Sequence, residues 1–235
     1  MELLKLITER TKAIVLVTPS NPTGKVLAET TQRAVADVAI RHGLLVIIDD
    51  PYSHFTYEDH DRSFNRASLP ELEGRLAYLF TFSKAYAMSG WRVGYMVVPE
   101  QLLTEVVKVH DMTMICTPRI SQIAATAALE GPKAHLAEFR GRLQRRRELI
   151  CERVERLNEI FSFVRPGGAY YVFPRVLIGD DDVAFAYRLL DETGVTVTPG
   201  SAFGPSGSGH VRMAYCVAED DLNRAFDRLD RYFGA

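Results

Sequence analysis

The chain has 235 residues, 47% of them hydrophobic and 25% charged, with a formal net charge of −2 at pH 7. That length suits one large domain or two modest ones, and the composition excludes disorder over most of the chain. The near-neutral charge gives no electrostatic reason to expect nucleic acid as a partner. No apolar run approaches the roughly 20 residues needed to cross a bilayer, so no membrane partner is expected.

The start, MELLKLITERTK, carries charges inside its apolar patch and does not read as a signal peptide. AIVLVTP (13–19) and LLVIID (44–49) are short, β-branched-rich runs bounded by turn residues, the pattern of buried strands in a parallel sheet. Between them, Val35, Val38 and Ala39 recur at helical spacing in a segment that stops at Gly43. LAYLFTF (76–82) and VGYMVV (93–98) read as two further strands. Strands alternating with helix argue for an α/β layer architecture.

From Pro118 the pattern changes. SQIAATAALEG is a small-residue helix ending at Gly131-Pro132. A long helix is expected over roughly 133–160, with Leu136, Phe139, Leu143, Ile150, Val154, Leu157 and Ile160 along one side. Arg140, Arg142 and Arg145 to Arg147 read as its solvated face. FSFVR, AYYVF, a helix over 182–193, VTVTP, HVRMAYC and a helix over 219–233 then form an α+β unit. The expected division is 1–130 and 131–235, with the long helix as connection. Cys116, Cys151 and Cys216 are distant from one another and odd in number, which suits free thiols better than disulfides or a zinc site.

Four strings carry chemistry: SNPTG (20–24), IIDDPY (47–52), TFSKAYAMSGWRVGY (81–95) and GHVRMAYC (209–216). Each has a plain structural reading. Asn-Pro-Thr-Gly makes a turn, because Pro fixes φ and Gly permits φ > 0. A strand-end Asp caps or anchors a loop, a loop Lys is solvated, a strand Arg pairs with a surface acid, and Trp91 packs in a core. Together they say more. Three strand ends deliver Asn21, Asp49 and Lys84 to one side of a parallel sheet, the edge where open α/β sheets bind ligands.

The order Asn, Asp-x-x-Tyr, Ser-Lys, Arg eight residues on, then a distant Arg resembles the class I/II aminotransferases, which are fold-type I pyridoxal-phosphate enzymes. The resemblance covers essentially the whole chain. It implies a fold with a partial large domain, built on a mainly parallel sheet, and an α+β C-terminal small domain. It implies pyridoxal 5′-phosphate as cofactor, no metal, and amino acid and 2-oxo acid substrates. It also implies a cytoplasmic location and a homodimer for the full-length protein.

Residue by residue, Lys84 resembles the lysine that binds the cofactor's aldehyde, a role lysine fills because its pKa falls readily when desolvated. Asp49 matches the acid that pairs with the pyridine nitrogen and keeps it protonated. Tyr52 and Asn21 match the groups that hydrogen-bond the ring's phenolic oxygen, and Asn21 also borders the substrate. Thr81, Ser83 and Arg92 resemble the phosphate anchors, with Thr81 standing where most relatives have Ser. Arg212 matches the clamp for the substrate α-carboxylate, its planar fork suited to two parallel hydrogen bonds. The TPGSAFG loop (198–204) is expected to line the substrate side. Relatives commonly have Asp-Glu where this chain has Asp49-Asp50; spacing to Tyr52 assigns the ring-nitrogen role to Asp49 and leaves Asp50 structural.

Relatives run to roughly 400 residues, and no candidate for their Gly-rich phosphate loop, stacking aromatic ring or residue lent to the neighbouring subunit precedes residue 13. The sequence is therefore expected to be truncated at its N-terminus, and the amino donor is not legible. Three other readings stand beside transamination: a pyridoxal-phosphate lyase of the same fold, the ligand-binding domain of an aminotransferase-like transcriptional regulator, and an inactive remnant.

Overall fold

Residues 2–57, 69–179 and 181–234 are described by a computed structural model. They divide into two units, the first of residues 2–19, 27–54 and 69–136, the second of 20–26, 55–57, 137–179 and 181–234. The main division thus lies at 136/137, inside a helix, rather than at 130. Two short segments from the first half of the sequence belong to the second unit.

In the first unit a short helix α1 (Leu3–Leu6) precedes β1 (Ala13–Val17), α2 (Glu29–Arg41), β2 (Leu45–Asp50), β3 (Leu76–Thr81) and β4 (Gly94–Val97). The strands form one sheet in the order β1-β2-β3-β4. The first three are parallel, as their apolar runs imply, and β4 is antiparallel to β3. α2 lays Val35, Val38 and Ala39 against Ile14, Val46 and Ile48. Each such Val or Ile taken fully out of water contributes about 1.5–3 kcal/mol before chain entropy is counted. The helix ends as read, with Gly43 at φ +66.

α3 (Glu100–Met114) was not legible, and α4 (Arg119–Glu130) matches the small-residue helix. No residue of α3 is buried, and Met96, Val97, Val107 and Met112 are exposed. Trp91 is 44% exposed, so it is not a core residue.

α5 (Ala134–Arg156) is the long helix, shorter than expected at its C-terminal end. Beyond Arg156 the backbone tightens into i→i−3 bonds, Leu157 N–H to the Val154 carbonyl and Ile160 N–H to the Leu157 carbonyl. Its apolar side is as read, with Leu143, Ile150 and Val154 buried. The arginine run is not uniformly solvated: Arg147 is only 1% exposed, its guanidinium 4.8 Å from the centre of the Tyr57 ring. A planar, weakly hydrated cation buries well against an aromatic face.

The second unit continues with β5 (Phe161–Ser162), β6 (Tyr171–Val172), β7 (Arg175–Val176), α6 (Asp182–Thr193), β8 (Thr198–Pro199), β9 (Val211–Ala214) and α7 (Glu219–Phe233). Apart from the two-residue β7, this is the expected α+β order. Antiparallel pairing makes a two-stranded sheet β5-β7 and a three-stranded sheet β6-β9-β8. The Asp181 carboxylate caps α6 by accepting from Val183 and Ala184 N–H, and Gly194 ends it at φ 67. α7 buries Leu222, Phe226 and Leu229, at i, i+4 and i+7. Arg153 of α5 donates to Asp227 at 2.6 Å and Asp230 at 2.8 Å, tying α5 to α7.

The early segments are built into this unit through backbone bonds. Thr56 bridges to Gly168, and the Gly167 and Gly168 N–H groups donate to the Gly24 carbonyl at 3.0 and 2.9 Å. Gly24 sits at φ +65, and a Cβ there would come within 2.4 Å of the Pro166 Cβ. Asn-Pro-Thr-Gly is thus a turn and also a close packing point.

Candidate active site

The site residues fall into two groups, one in each unit. In the first unit, parallel register aligns Val17 with Asp49 and Asp49 with Leu79, so β1, β2 and β3 end at one edge. Thr81 closes β3 there, and Ser83 and Lys84 follow at once. Thr81 is paired with Gly94 in antiparallel β4, which brings the preceding Arg92 to the same edge. Asp49, Thr81, Ser83, Lys84 and Arg92 are therefore gathered by topology. A glycine is needed at 94, because a Cβ would lie 2.5 Å from the Phe80 carbonyl oxygen.

Strand periodicity sends Asp49 and Asp50 to opposite faces. Asp50 is 5% exposed, whereas Asp49 is open. Asp50 is also occupied: Oδ1 accepts from Ser53 N–H at 2.9 Å and Oδ2 from the Tyr78 hydroxyl at 2.5 Å. For Asp49, surrounding protein first, and the Asp50 charge second, raise the carboxyl above its usual range. Open as it is by surface area, enough protein packs beside it to disfavour the anion, a penalty that a cation would relieve.

Tyr52 is 4% exposed, and Lys84 is half-buried. Around them the chain turns tightly. Thr81 Oγ1 accepts from Ser83 N–H at 3.2 Å, the Ala87 N–H donates to the Lys84 carbonyl, and Ala87 lies at φ 52. Arg92 is left-handed at φ 51 and donates from Nη1 to the Ser89 carbonyl at 2.9 Å. His54 meets Phe80 and Tyr86 edge-on, and its imidazole pKa is lowered, chiefly by burial.

The second group centres on Arg212 in β9. Nη1 donates to Asn21 Oδ1 at 2.9 Å and Nη2 to Thr198 Oγ1 at 3.2 Å, across the β8–β9 pair. The guanidinium carbon lies 4.7 Å from the Tyr171 ring centre and 4.9 Å from that of Phe203. Asn21 and Arg212, 191 positions apart, are thus in direct contact. Sequence reasoning missed Ser53 and Tyr78, which occupy Asp50, and Thr198, Tyr171 and Phe203, which surround Arg212. Only the TPGSAFG string hinted at any of them.

The first group fits an anionic, ring-bearing cofactor by its donor chemistry. Hydroxyls, a lysine and an arginine suit a phosphate and an aldehyde, and an acid with no cation beside it among the described residues suits a protonated ring nitrogen.

The sequence model of the family "Aminotransferase class I and II" matches residues 1–229. The aspartate aminotransferase of Pyrococcus abyssi is 39% identical over 98% of this chain and 59% of its own length. The aromatic-amino-acid aminotransferase 2 of Thermococcus litoralis is 37% identical over 98% of this chain and 59% of its own. The crystal structure of an aromatic aminotransferase from Pyrococcus horikoshii superposes with a TM-score of 0.93 at 37% identity, over 99% of this chain and 62% of that one. This chain therefore spans about three-fifths of the length of such relatives. The fold is that of the fold-type I enzymes, with a partial large domain and an α+β small domain. The chain belongs to the class I and II aminotransferase family.

Proposed function

We propose that the whole protein is a pyridoxal-phosphate-dependent aminotransferase that moves an amino group between an amino acid and a 2-oxo acid. The observation that carries this reading is the division of labour at the end of β2. Asp50 is buried and doubly hydrogen-bonded, which leaves Asp49 as the open acid at the edge that also carries Lys84 and Arg92. Family membership, with relatives named for aspartate and for aromatic amino acids, supports the same chemistry.

When bound, the cofactor supplies an electron-withdrawing ring that stabilises negative charge on the substrate's α-carbon. Asp49 holds the proton on the ring nitrogen, and that proton's charge in turn lowers the cost of ionising Asp49. Lys84 would hold the cofactor's aldehyde through Nζ and would carry the substrate's α-proton. Tyr52 and Asn21 donate towards the ring's phenolic oxygen, and Thr81, Ser83 and Arg92 hold the phosphate. Arg212 receives the substrate α-carboxylate in the plane of its guanidinium. We further infer a cytoplasmic homodimer for the whole protein, from family membership. Among the described residues no helix is long and apolar enough to cross a membrane.

The test is transfer of ¹⁵N from a labelled amino acid to a 2-oxo acid by the whole protein loaded with pyridoxal phosphate. Transfer that is lost in Lys84→Ala supports the reading. Release of ammonia with no label in the acceptor contradicts it and points to lyase chemistry.

A further inference from the structure

Arg212 is held by more than its two hydrogen bonds. Among the described residues its Nε is buried with no acceptor, although Nη1 and Nη2 are both engaged. An unpaired buried donor carries a desolvation cost, so the guanidinium needs a further reason, besides its two hydrogen bonds, to stay where it is. The rings of Tyr171 and Phe203 supply one, each within 5 Å of the guanidinium carbon. The accepted range for one such cation–ring contact corresponds to about 2- to 30-fold in an equilibrium.

The two rings are not equivalent. Tyr171 is 6% exposed and belongs to β6, in the sheet that contains β9. Phe203 is 36% exposed and is carried on a loop. That loop is fastened with unusual care for an exposed segment. The Gly200 N–H donates to the His210 carbonyl at 2.7 Å. Gly200 and Gly207 are pressed together: a Cβ on Gly200 would lie 2.1 Å from the Gly207 carbonyl oxygen, and one on Gly207 2.0 Å from that of Gly200. Asp182, 2% exposed at the start of α6, accepts from Ser201 N–H at 2.7 Å and Gly209 N–H at 3.2 Å, gripping both ends of the loop. Phe203 itself meets Phe173 edge-on at 6.0 Å, and Phe173 stacks on His210 at 5.0 Å. Backbone, carboxylate and aromatic contacts all fix the loop that lays Phe203 against Arg212.

We propose that Phe203 is a positioning residue, which holds the Arg212 guanidinium in the orientation that receives the substrate carboxylate. The proposal rests on the reading of Arg212 as the carboxylate clamp. Phe203 contributes no hydrogen bond. It acts through Arg212, by limiting rotation of the side chain and excluding water from one side of the fork.

The experiment uses the whole protein, ¹⁵N-labelled, with maleate as a carboxylate probe that carries no amino group. The Arg212 Nε–H resonance is assigned by its loss in Arg212→Lys. Maleate binding and the exchange of this proton with water are then followed in the wild type, Phe203→Leu and Phe203→Tyr. Phe203→Leu is expected to weaken maleate binding about 3- to 10-fold, to speed Nε–H exchange, and to leave the amide spectrum of β6, β8 and β9 folded. Phe203→Tyr restores both quantities, because the ring is kept. If Arg212→Lys weakens binding while Phe203→Leu changes neither affinity nor exchange, the positioning role is overturned and the clamp survives. If Arg212→Lys leaves maleate affinity unchanged, the clamp reading falls and this proposal falls with it.

Discussion

Substituting the two adjacent acids of β2 separates structure from chemistry. Asp50 is 5% exposed and accepts two hydrogen bonds, from Ser53 N–H and the Tyr78 hydroxyl. A hydrogen bond to a charged acceptor contributes about 1.5–3 kcal/mol. Ser53 and Tyr78 are only half-buried, so water can replace part of what is lost, and the low end applies. Asp50→Ala is therefore expected to destabilise the first unit by about 3 kcal/mol, a shift of about 1–3 M in the urea midpoint. Tyr78→Phe removes one of the two bonds and costs about half as much, and the two changes together cost less than their sum. Asp49→Ala, at an open position beside a like charge, stays within about 0.5 kcal/mol of wild type. Fluorescence of Trp91, the chain's single tryptophan, reports the unfolding of this unit. In the cofactor-loaded whole protein the order reverses, and Asp49→Ala cripples turnover far more than Tyr78→Phe. Equal destabilisation by Asp49→Ala and Asp50→Ala, or additive costs for Asp50 and Tyr78, would refute the reasoning.

Gly24→Ala is expected to cost more than 1 kcal/mol, because it combines a left-handed backbone with a 2.4 Å approach to Pro166; circular-dichroism melts of the variant check this. Asp182 has burial pushing its carboxyl up, but the Ser201 and Gly209 hydrogen bonds outweigh it and leave the pKa below the ordinary 3.8. A folded-state pKa below the unfolded one gives stability that is present above pH 3.8 and lost as pH falls through the lower folded value. Asp182→Asn should thus narrow the stability gap between pH 6 and pH 3 in urea titrations. The 235-residue chain alone is expected to self-associate through exposed Met96, Val97, Val107 and Met112 and to transaminate poorly, as sedimentation and a panel of amino acids would show.

Much of this was legible in local pattern. The parallel strands were apolar runs closed by turn residues, and α2 and α7 carried clean helical stripes. α3 was not legible, because EQLLTEVVKVHDMTM spreads apolar residues around the helix and none of them is buried. Arg147 was read by its charge with its neighbours. Its spacing tells otherwise, since Leu143, Arg147, Ile150 and Val154 follow steps of 4, 3 and 4 on one buried stripe. The assignment of residues 20–26 and 55–57 to the second unit has no local signature, because backbone bonds to Gly167 and Gly168 create it. At the site, residue types were legible and their supports were not. Nothing near Asp50 in sequence names Tyr78, and nothing near Arg212 names Tyr171.

The central claim is that Lys84 is the residue that bonds the cofactor. The direct measurement is to load the protein with pyridoxal phosphate, reduce with borohydride, digest, and locate the added mass by peptide mapping. The expected result is one labelled peptide, containing TFSKAYAMSGWR, with the mass on Lys84 and none in Lys84→Ala. Stoichiometric label on another lysine, such as Lys25 or Lys133, would contradict the account.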